Sequence, residues 1–234
     1  MSGGVGPTCD ITLPKEEPPV SAAKPPARRS FFAFRQLNAL AAAIVLSASG
    51  MVSAQDFAFV IFSLAYIYFI SKVAFPLTSS VPDPPVYGDK NTILSLYVLV
   101  GAVIGLFLPI AYIFEGILEG DKEGIKAAAP HVFLLASQVF MEGLTFSGRF
   151  SLPVRVLVPV FYNAMRILSI MEWVRNEFSK AELGYGGSGR RMCVGKALAV
   201  ANMAFWSFNL FGFLLPFYLP KAFKLYYSNS KFRD

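Results

Sequence analysis

The stretch NTILSLYVLVGAVIGLFLPIAYIF, residues 91–114, decides the fold. It contains no charged side chain over 24 residues, and about twenty apolar residues let a helix cross the hydrocarbon core of a bilayer. Gly101 and Gly105 have the spacing at which two helices pack closely, and Pro109 is expected to kink the helix. The stretch therefore predicts a transmembrane helix whose helix-packing face carries Gly101 and Gly105.

The composition of the whole chain agrees with a membrane protein. Of its 234 residues 55% are hydrophobic and 15% charged, and the mean hydropathy is +0.52. Soluble domains carry about 25% charged residues. The net charge of +6 comes from basic residues that flank apolar runs, which indicates contact with anionic lipid headgroups. We predict the lipid bilayer as a partner and no nucleic acid.

Further apolar runs lie on both sides of residues 91–114. The sequence predicts an all-α fold, a polytopic bundle of about six transmembrane helices within residues 31–225. A disordered Pro-rich tail at 1–30 precedes the bundle, and a short tail at 226–234 follows it. The further runs cover residues 36–55, 57–70, 127–146, 152–174 and 197–220.

The number of spans and the orientation stay open at this point. A five-span alternative leaves the run at 152–174 at the membrane interface. With a cytosolic N-terminus, six spans place 13 Lys and Arg on the cytosolic side and seven on the other, and five spans place 15 and six. Both arrangements follow the positive-inside rule. Acidic residues in the tail argue against a transit peptide, which favours the endomembrane system; the plasma membrane and the plastid envelope remain alternatives.

Polar side chains repeat along three of the predicted helices. Residues at i, i+7 and i+11 return to nearly the same face of a helix, so the stripes predict a shared intramembrane polar cluster. An unpaired charge at the bilayer centre costs about 3 kcal/mol, and Glu142 is therefore expected to pair with an arginine. The pair is either part of a proton or substrate path or a structural ion pair. The predicted cluster consists of His131, Gln138, Glu142, Arg155, Arg166, Asn202 and Asn209.

The remaining motifs point away from catalysis. The segment from Gly189 to Ala197 lacks the spacing and the hydroxyl of a phosphate-binding loop, so we predict a flexible basic linker and no nucleotide. Cys193 lies beside a basic cluster, where it is either a palmitoylation site or an idle thiol. Trp173 and Trp206 are expected to anchor the protein at the membrane interface. The chain shows no catalytic motif and no Cys or His pair with metal-ligand spacing, and we expect no enzyme, cofactor, catalytic residue or metal.

Several stretches together resemble a known family. They are SLPVR at 151–155, YNAMR at 162–166, MEWV at 171–174, and the last run from GKALAVAN at 195–202 to FYLP at 217–220. This pattern is similar to a land-plant family of uncharacterised multi-pass membrane proteins, a domain of unknown function. The resemblance covers the chain after the Pro-rich tail. It implies a membrane location and no activity.

Two functional hypotheses follow. The first is a non-catalytic subunit, adaptor or organising protein that associates with other membrane proteins through Gly101, Gly105 and the Pro-rich tail. The alternative is a small transporter or channel-like protein with a polar interior around Glu142, Arg155 and Arg166. A lipid-modifying enzyme would have only His131 as an obvious base.

Overall fold

The computed structural model describes residues 38–39, 42–43, 49–77, 86–87, 92–146, 148–182 and 188–231. Over these ranges the regular structure is helical and contains no strand, which confirms the all-α prediction. The helices are α1 Ala54–Val73, α2 Thr92–Ala102, α3 Leu108–Glu119, α4 Lys122–Thr145, α5 Leu152–Glu182, α6 Gly189–Ser207 and α7 Leu219–Lys231. Two π-helical segments, Val103–Phe107 and Phe208–Tyr218, join α2 to α3 and α6 to α7.

Five helical stretches of the described chain are long and apolar enough to cross a membrane. They correspond to the second to sixth predicted runs, whereas the first run, 36–55, lies mostly outside the described residues. The count of about six is therefore not confirmed. The stretches are Ala54–Val73, Thr92–Glu119, Lys122–Thr145, Leu152–Lys180 and Gly189–Ser228.

Helix α5 lies in the interior of the bundle. It packs against α4, α6 and α7, and 61% of its most apolar window is buried within the protein. The α5 helix therefore provides the surface on which its neighbours pack. The choice between five and six spans stays a prediction.

The connection from α3 to α4 consists of two residues. Gly120 ends α3 in the left-handed conformation with φ of 72°, which a glycine adopts without steric cost. Asp121 then caps α4, because its carboxylate accepts a hydrogen bond from the Gly124 N–H at 2.9 Å. Such a short connection makes α3 and α4 antiparallel neighbours.

The prediction that Gly189–Ala197 forms a flexible linker is wrong. These residues form the first turns of α6, which begins after Ser188. Arg191 in the first turn is buried and contacts Asp121 at the α3–α4 connection. The contact explains why a Gly-containing basic segment is helical here.

The bundle has two ends, named here after a residue at each. At the Asp121 end, the α3–α4 connection meets the last turns of α5 and the first turn of α6, since Lys180 and Arg191 both contact Asp121. At the Ser151 end, Ser151 before α5 donates a hydrogen bond to the Phe75 carbonyl after α1, at 2.8 Å. Helix α7 reaches the same end, where Tyr226 donates to the Pro76 carbonyl at 3.0 Å.

Candidate functional site

Arg166 occupies the centre of the bundle. It is the midpoint of the candidate span Leu152–Lys180, and its side chain is fully buried. Nη2 donates a hydrogen bond to Oε1 of Gln138, and the guanidinium carbon lies 4.0 Å from the centroid of the Trp206 ring. Nε and Nη1 have no hydrogen-bond partner among the described residues. A cation at such depth is costly unless polar groups surround it.

Gln138 connects Arg166 to Glu142. The Gln138 amide Nε2 donates to Oε1 of Glu142 at 2.7 Å, while its oxygen accepts from Arg166. Glu142 is only partly buried and lies one turn before the end of α4. The sequence predicted an ion pair between Glu142 and an arginine. The structure links Glu142 to Arg166 through an intervening amide.

His131 contacts a carbonyl that a proline leaves available. Pro109 has no N–H, so it cannot donate the usual helical hydrogen bond to the carbonyl of Gly105, four residues earlier. The first π-helical segment ends two residues before Pro109, and Nε2 of His131 is 2.8 Å from the Gly105 oxygen. Because a carbonyl only accepts, Nε2 carries a proton, and in the neutral imidazole Nδ1 is then an acceptor. Nδ1 has no hydrogen-bond partner in the described part of the chain.

Trp206 lies between the polar residues of three helices. Its ring centroid is 6.3 Å from that of His131 on α4, and its Nε1 donates to Oδ1 of Asn202 at 3.2 Å. Its carbonyl accepts from Nδ2 of Asn163 on α5 at 3.1 Å. The sequence reasoning missed Asn163, which is fully buried. Its position three residues before Arg166 places both on one face of α5, and this spacing was the available signal.

Two predicted members of the cluster have other contacts. Oδ1 of Asn209 accepts a hydrogen bond from the Tyr97 hydroxyl at 2.8 Å. Nε of Arg155 donates to the Phe150 carbonyl at 2.9 Å, which places Arg155 at the Ser151 end. The structure thus brings together His131, Gln138, Glu142, Arg166 and Asn202 through direct contacts or through Trp206.

Gly101 and Gly105 serve packing within this chain. A Cβ atom at Gly101 would lie 3.0 Å from the Phe205 ring, and one at Gly105 would lie 2.5 Å from the Trp206 ring. Both glycines let α6 approach the α2–α3 helix.

The expectation that Trp173 and Trp206 anchor the protein at the membrane interface is wrong. Both are buried, because their rings pack around His131 in the interior.

A network of buried ion pairs closes the Asp121 end. Oδ2 of Asp121 accepts from Nε of Arg191 at 2.8 Å and from Nζ of Lys180 at 3.2 Å. Lys180 also donates to Oε1 of Glu177 at 3.0 Å, and the Tyr112 hydroxyl donates to the same oxygen at 2.7 Å. All five residues are buried. Two buried cations thus face two buried carboxylates, and Arg191 also lies 3.5 Å from Oε2 of Glu115 and 4.0 Å from Oε2 of Glu119. These opposite charges limit the cost of burying the cations.

The pKa of Asp121 reflects this network. Burial raises the pKa of its carboxyl group, but hydrogen bonds from the Gly124 N–H, Arg191 and Lys180 lower it by more, so the pKa lies below the ordinary value of 3.8. Asp121 lies outside the candidate spans. The carboxylate is therefore held ionised by donors from α4, α5 and α6.

Glycines make room for the network. A Cβ atom at Gly195 on α6 would lie 2.5 Å from Oε2 of Glu177. Side chains at Gly116 and Gly124 would collide with Arg191 and Asp121, respectively. Arg191 lies in the segment that was predicted to be a flexible linker. The close approach at the three glycines shows that this segment is packed against α3 and α4.

Other candidate chemistry finds little support within the ranges that the structure describes. No group of three or more His, Cys, Asp or Glu residues there is arranged to hold a metal ion. Cys193 is an exposed free thiol on α6, and its palmitoylation stays a prediction. The arrangement can hold buried charges and hydrogen-bonded polar groups.

The fold and the site define an all-helical protein with five helices long and apolar enough to cross a membrane and with charged side chains in its interior. A family model described as a domain of unknown function, DUF7733, matches residues 32–227. The chain belongs to this family, in agreement with the resemblance to a family of unknown function. No curated protein and no solved structure is significantly similar to the chain.

Proposed function

We propose that this is a multi-pass integral membrane protein that acts as a non-catalytic subunit, adaptor or organising protein. It assembles with other membrane proteins through the outward face of the helix Thr92–Glu119. A plant origin and a location in the endomembrane system are parts of this proposal.

The exposure of Thr92–Glu119 carries the proposal. Only 17% of its most apolar window is buried within the protein, against 72% for α4. Ile93, Phe114 and Leu118 are 81%, 64% and 88% exposed. A long apolar face of this kind is covered by lipid or by helices of another protein. Gly101 and Gly105 engage α6 of the same chain, so the outward face is the surface available for assembly.

Photocrosslinking in native membranes tests the proposal. The photoreactive phenylalanine analogue p-benzoylphenylalanine replaces Phe114 on the outward face, and Phe133, which is 2% exposed, provides the matched control. We expect a discrete protein adduct from position 114 and none from position 133. If the analogue at position 114, and also at the exposed position Phe107, forms adducts only with lipid, the outward face is not an assembly surface.

A transporter is the second candidate, and one observation favours it. A series of hydrogen bonds joins Arg166 to Gln138 and Gln138 to Glu142. It leads from the midpoint of α5 to a partly buried carboxylate near the Ser151 end. Intramembrane charges of this kind mark substrate or proton paths in many membrane proteins. If the candidate is right, Glu142→Gln abolishes a pH-dependent flux in reconstituted vesicles. Glu172→Gln, an exposed position on α5, should leave the flux intact, and a wild-type protein without flux contradicts the candidate.

A further inference from the structure

Four polar atoms around Trp206 lack partners within the described residues. They are Nε and Nη1 of Arg166, Nδ1 of His131 and Oδ1 of Asn163, on side chains that are fully buried. Each of the three residues also contacts Trp206, through its ring or its carbonyl. Two of the atoms belong to a donor group, and the other two are acceptors. Buried polar atoms are otherwise almost always hydrogen-bonded, to protein or to ordered water.

The mixture of donors and acceptors identifies the chemical class of the missing partner. A small anion would satisfy the arginine but would face two acceptors. A single carboxylate cannot accept from both Nε and Nη1, because these groups lie on different edges of the planar guanidinium. Water both donates and accepts, and buried water makes about three hydrogen bonds to such groups. Water therefore fits all four atoms.

We propose that the centre of the bundle is a water-binding site formed by Arg166, His131 and Asn163. Gln138 and the partly buried Glu142 connect it to the Ser151 end. On the side of the Asp121 end lie the buried rings of Trp173 and Tyr112, with centroids 5.8 Å apart and that of Trp173 6.1 Å from His131. The proposed site is therefore a hydrated pocket that water enters from the Ser151 end.

This inference goes beyond the assembly role and does not require transport. Water can occupy the pocket in a protein that conducts nothing, so an absence of flux leaves the inference intact. A positive flux measurement would conversely not show where the water lies. The two questions therefore need separate measurements.

Nuclear magnetic resonance on the wild-type protein in bilayers provides the first test. Magnetisation is transferred from water to the side-chain nitrogens of 15N-labelled arginine, and the Arg166 signal is assigned by its loss in Arg166→Lys. We expect transfer to Nε of Arg166 as rapid as to exposed arginines such as Arg190. An Arg166 signal that receives no magnetisation from water overturns the proposal.

Cysteine accessibility tests the direction in which the pocket opens. Asn163→Cys and Ala199→Cys are made with Cys9 and Cys193 replaced by serine; both positions are fully buried, but Ala199 packs in the apolar cluster beside Tyr112 and Trp173. A small charged thiol reagent is applied to each side of sealed vesicles. The thiolate is the reactive form and apolar burial suppresses it, so Asn163→Cys should react about tenfold faster than Ala199→Cys, and only from the Ser151 side. Equal reaction rates of the two variants, or equal reaction of Asn163→Cys from both sides, would contradict a pocket that opens toward the Ser151 end. If a variant fails to fold, the magnetic resonance measurement on the wild-type protein still tests the proposal.

Discussion

Arg190 and Arg191 are adjacent in sequence and have opposite environments. The Arg190 side chain is 81% exposed and lies 3.4 Å from Glu115, whereas the Arg191 side chain is 1% exposed and lies 2.8 Å from Asp121. Solvent screens the first pair, and the second is desolvated and joined to Lys180 and Tyr112. The same residue type therefore contributes very differently to stability at the two positions.

Replacing each arginine with methionine measures this difference. Arg191→Met leaves buried carboxylates short of a donor, and we expect it to lower the free energy of unfolding by about 3 kcal/mol or more. Arg190→Met should change it by less than about 1 kcal/mol. Unfolding in mixed detergent micelles, followed by circular dichroism, provides the comparison. Equal effects of the two substitutions would show that the buried network does not stabilise the fold.

Acid should weaken the same network. The pKa of Asp121 is depressed in the folded protein, so its contribution to stability is complete above the unfolded pKa of about 3.9 and is lost as the pH falls through the lower folded value. The charged groups around it are Lys180, Arg191 and Glu177, and Glu115 and Glu119 also pair with Arg191. Between pH 6 and pH 3 the melting temperature of the wild type should fall more than that of Asp121→Asn. Parallel curves for the two proteins would exclude Asp121 as the titrating group.

At the scale of the element, the helix Thr92–Glu119 is adapted to its neighbour. Pro109 and the π-helical segment before it leave the Gly105 carbonyl available to His131 on α4. Gly105 also lets Trp206 on α6 lie against the backbone. One short segment thus determines the contacts of α4 and α6 at the same level of the bundle.

A methyl group added at Gly105 tests this packing. Because its Cβ would lie 2.5 Å from the Trp206 ring, Gly105→Ala should lower the free energy of unfolding by about 1–3 kcal/mol. Gly189→Ala is the matched control, since nothing lies within 4 Å of its Cβ position, and its effect should stay within about 0.5 kcal/mol. Thermal unfolding of both variants in detergent gives the answer. A destabilised variant that still binds its native partners would support the internal role, and a stable variant that loses them would favour the association role predicted from sequence.

The sequence predicted those features of the elements that depend on periodicity and hydropathy. The apolar runs gave helices α1 to α6 with shifted ends, and the spacing of His131, Gln138 and Glu142 placed them on one face of α4. Hydropathy could not distinguish Trp206 in the interior from a tryptophan at the interface, since both positions are apolar with a polar group nearby. Hydropathy also could not predict that α6 begins before Arg191. That helical turn depends on the contact of Arg191 with Asp121, 70 residues earlier in the chain.

At the scale of the whole molecule, charge is distributed unequally between the two ends. Near the Ser151 end the described chain carries Lys72, Arg149, Arg155, Lys221 and Lys224, and Glu142 is the acid closest to them along the helices. Near the Asp121 end it carries Lys122, Lys126, Arg175, Lys180, Arg190, Arg191 and Lys196, of which Lys180, Arg190 and Arg191 form ion pairs with carboxylates. In the six-span prediction, the Lys and Arg of the whole sequence number 13 on the Ser151 side and seven on the other, and the side with more Lys and Arg is expected to face the cytosol.

This asymmetry predicts that the Ser151 end faces the cytosol and the Asp121 end faces away from it. Cys193 on α6 is exposed and lies close to the Asp121 end, so a membrane-impermeant maleimide should label it only from the non-cytosolic side in a Cys9→Ser background. Lys224→Cys, with Cys193 also replaced by serine, should be labelled only from the cytosol. The reverse pattern would invert the orientation. Labelling of both positions from the same side would mean that the helix Gly189–Ser228 does not cross the bilayer, because the two cysteines lie near its opposite ends.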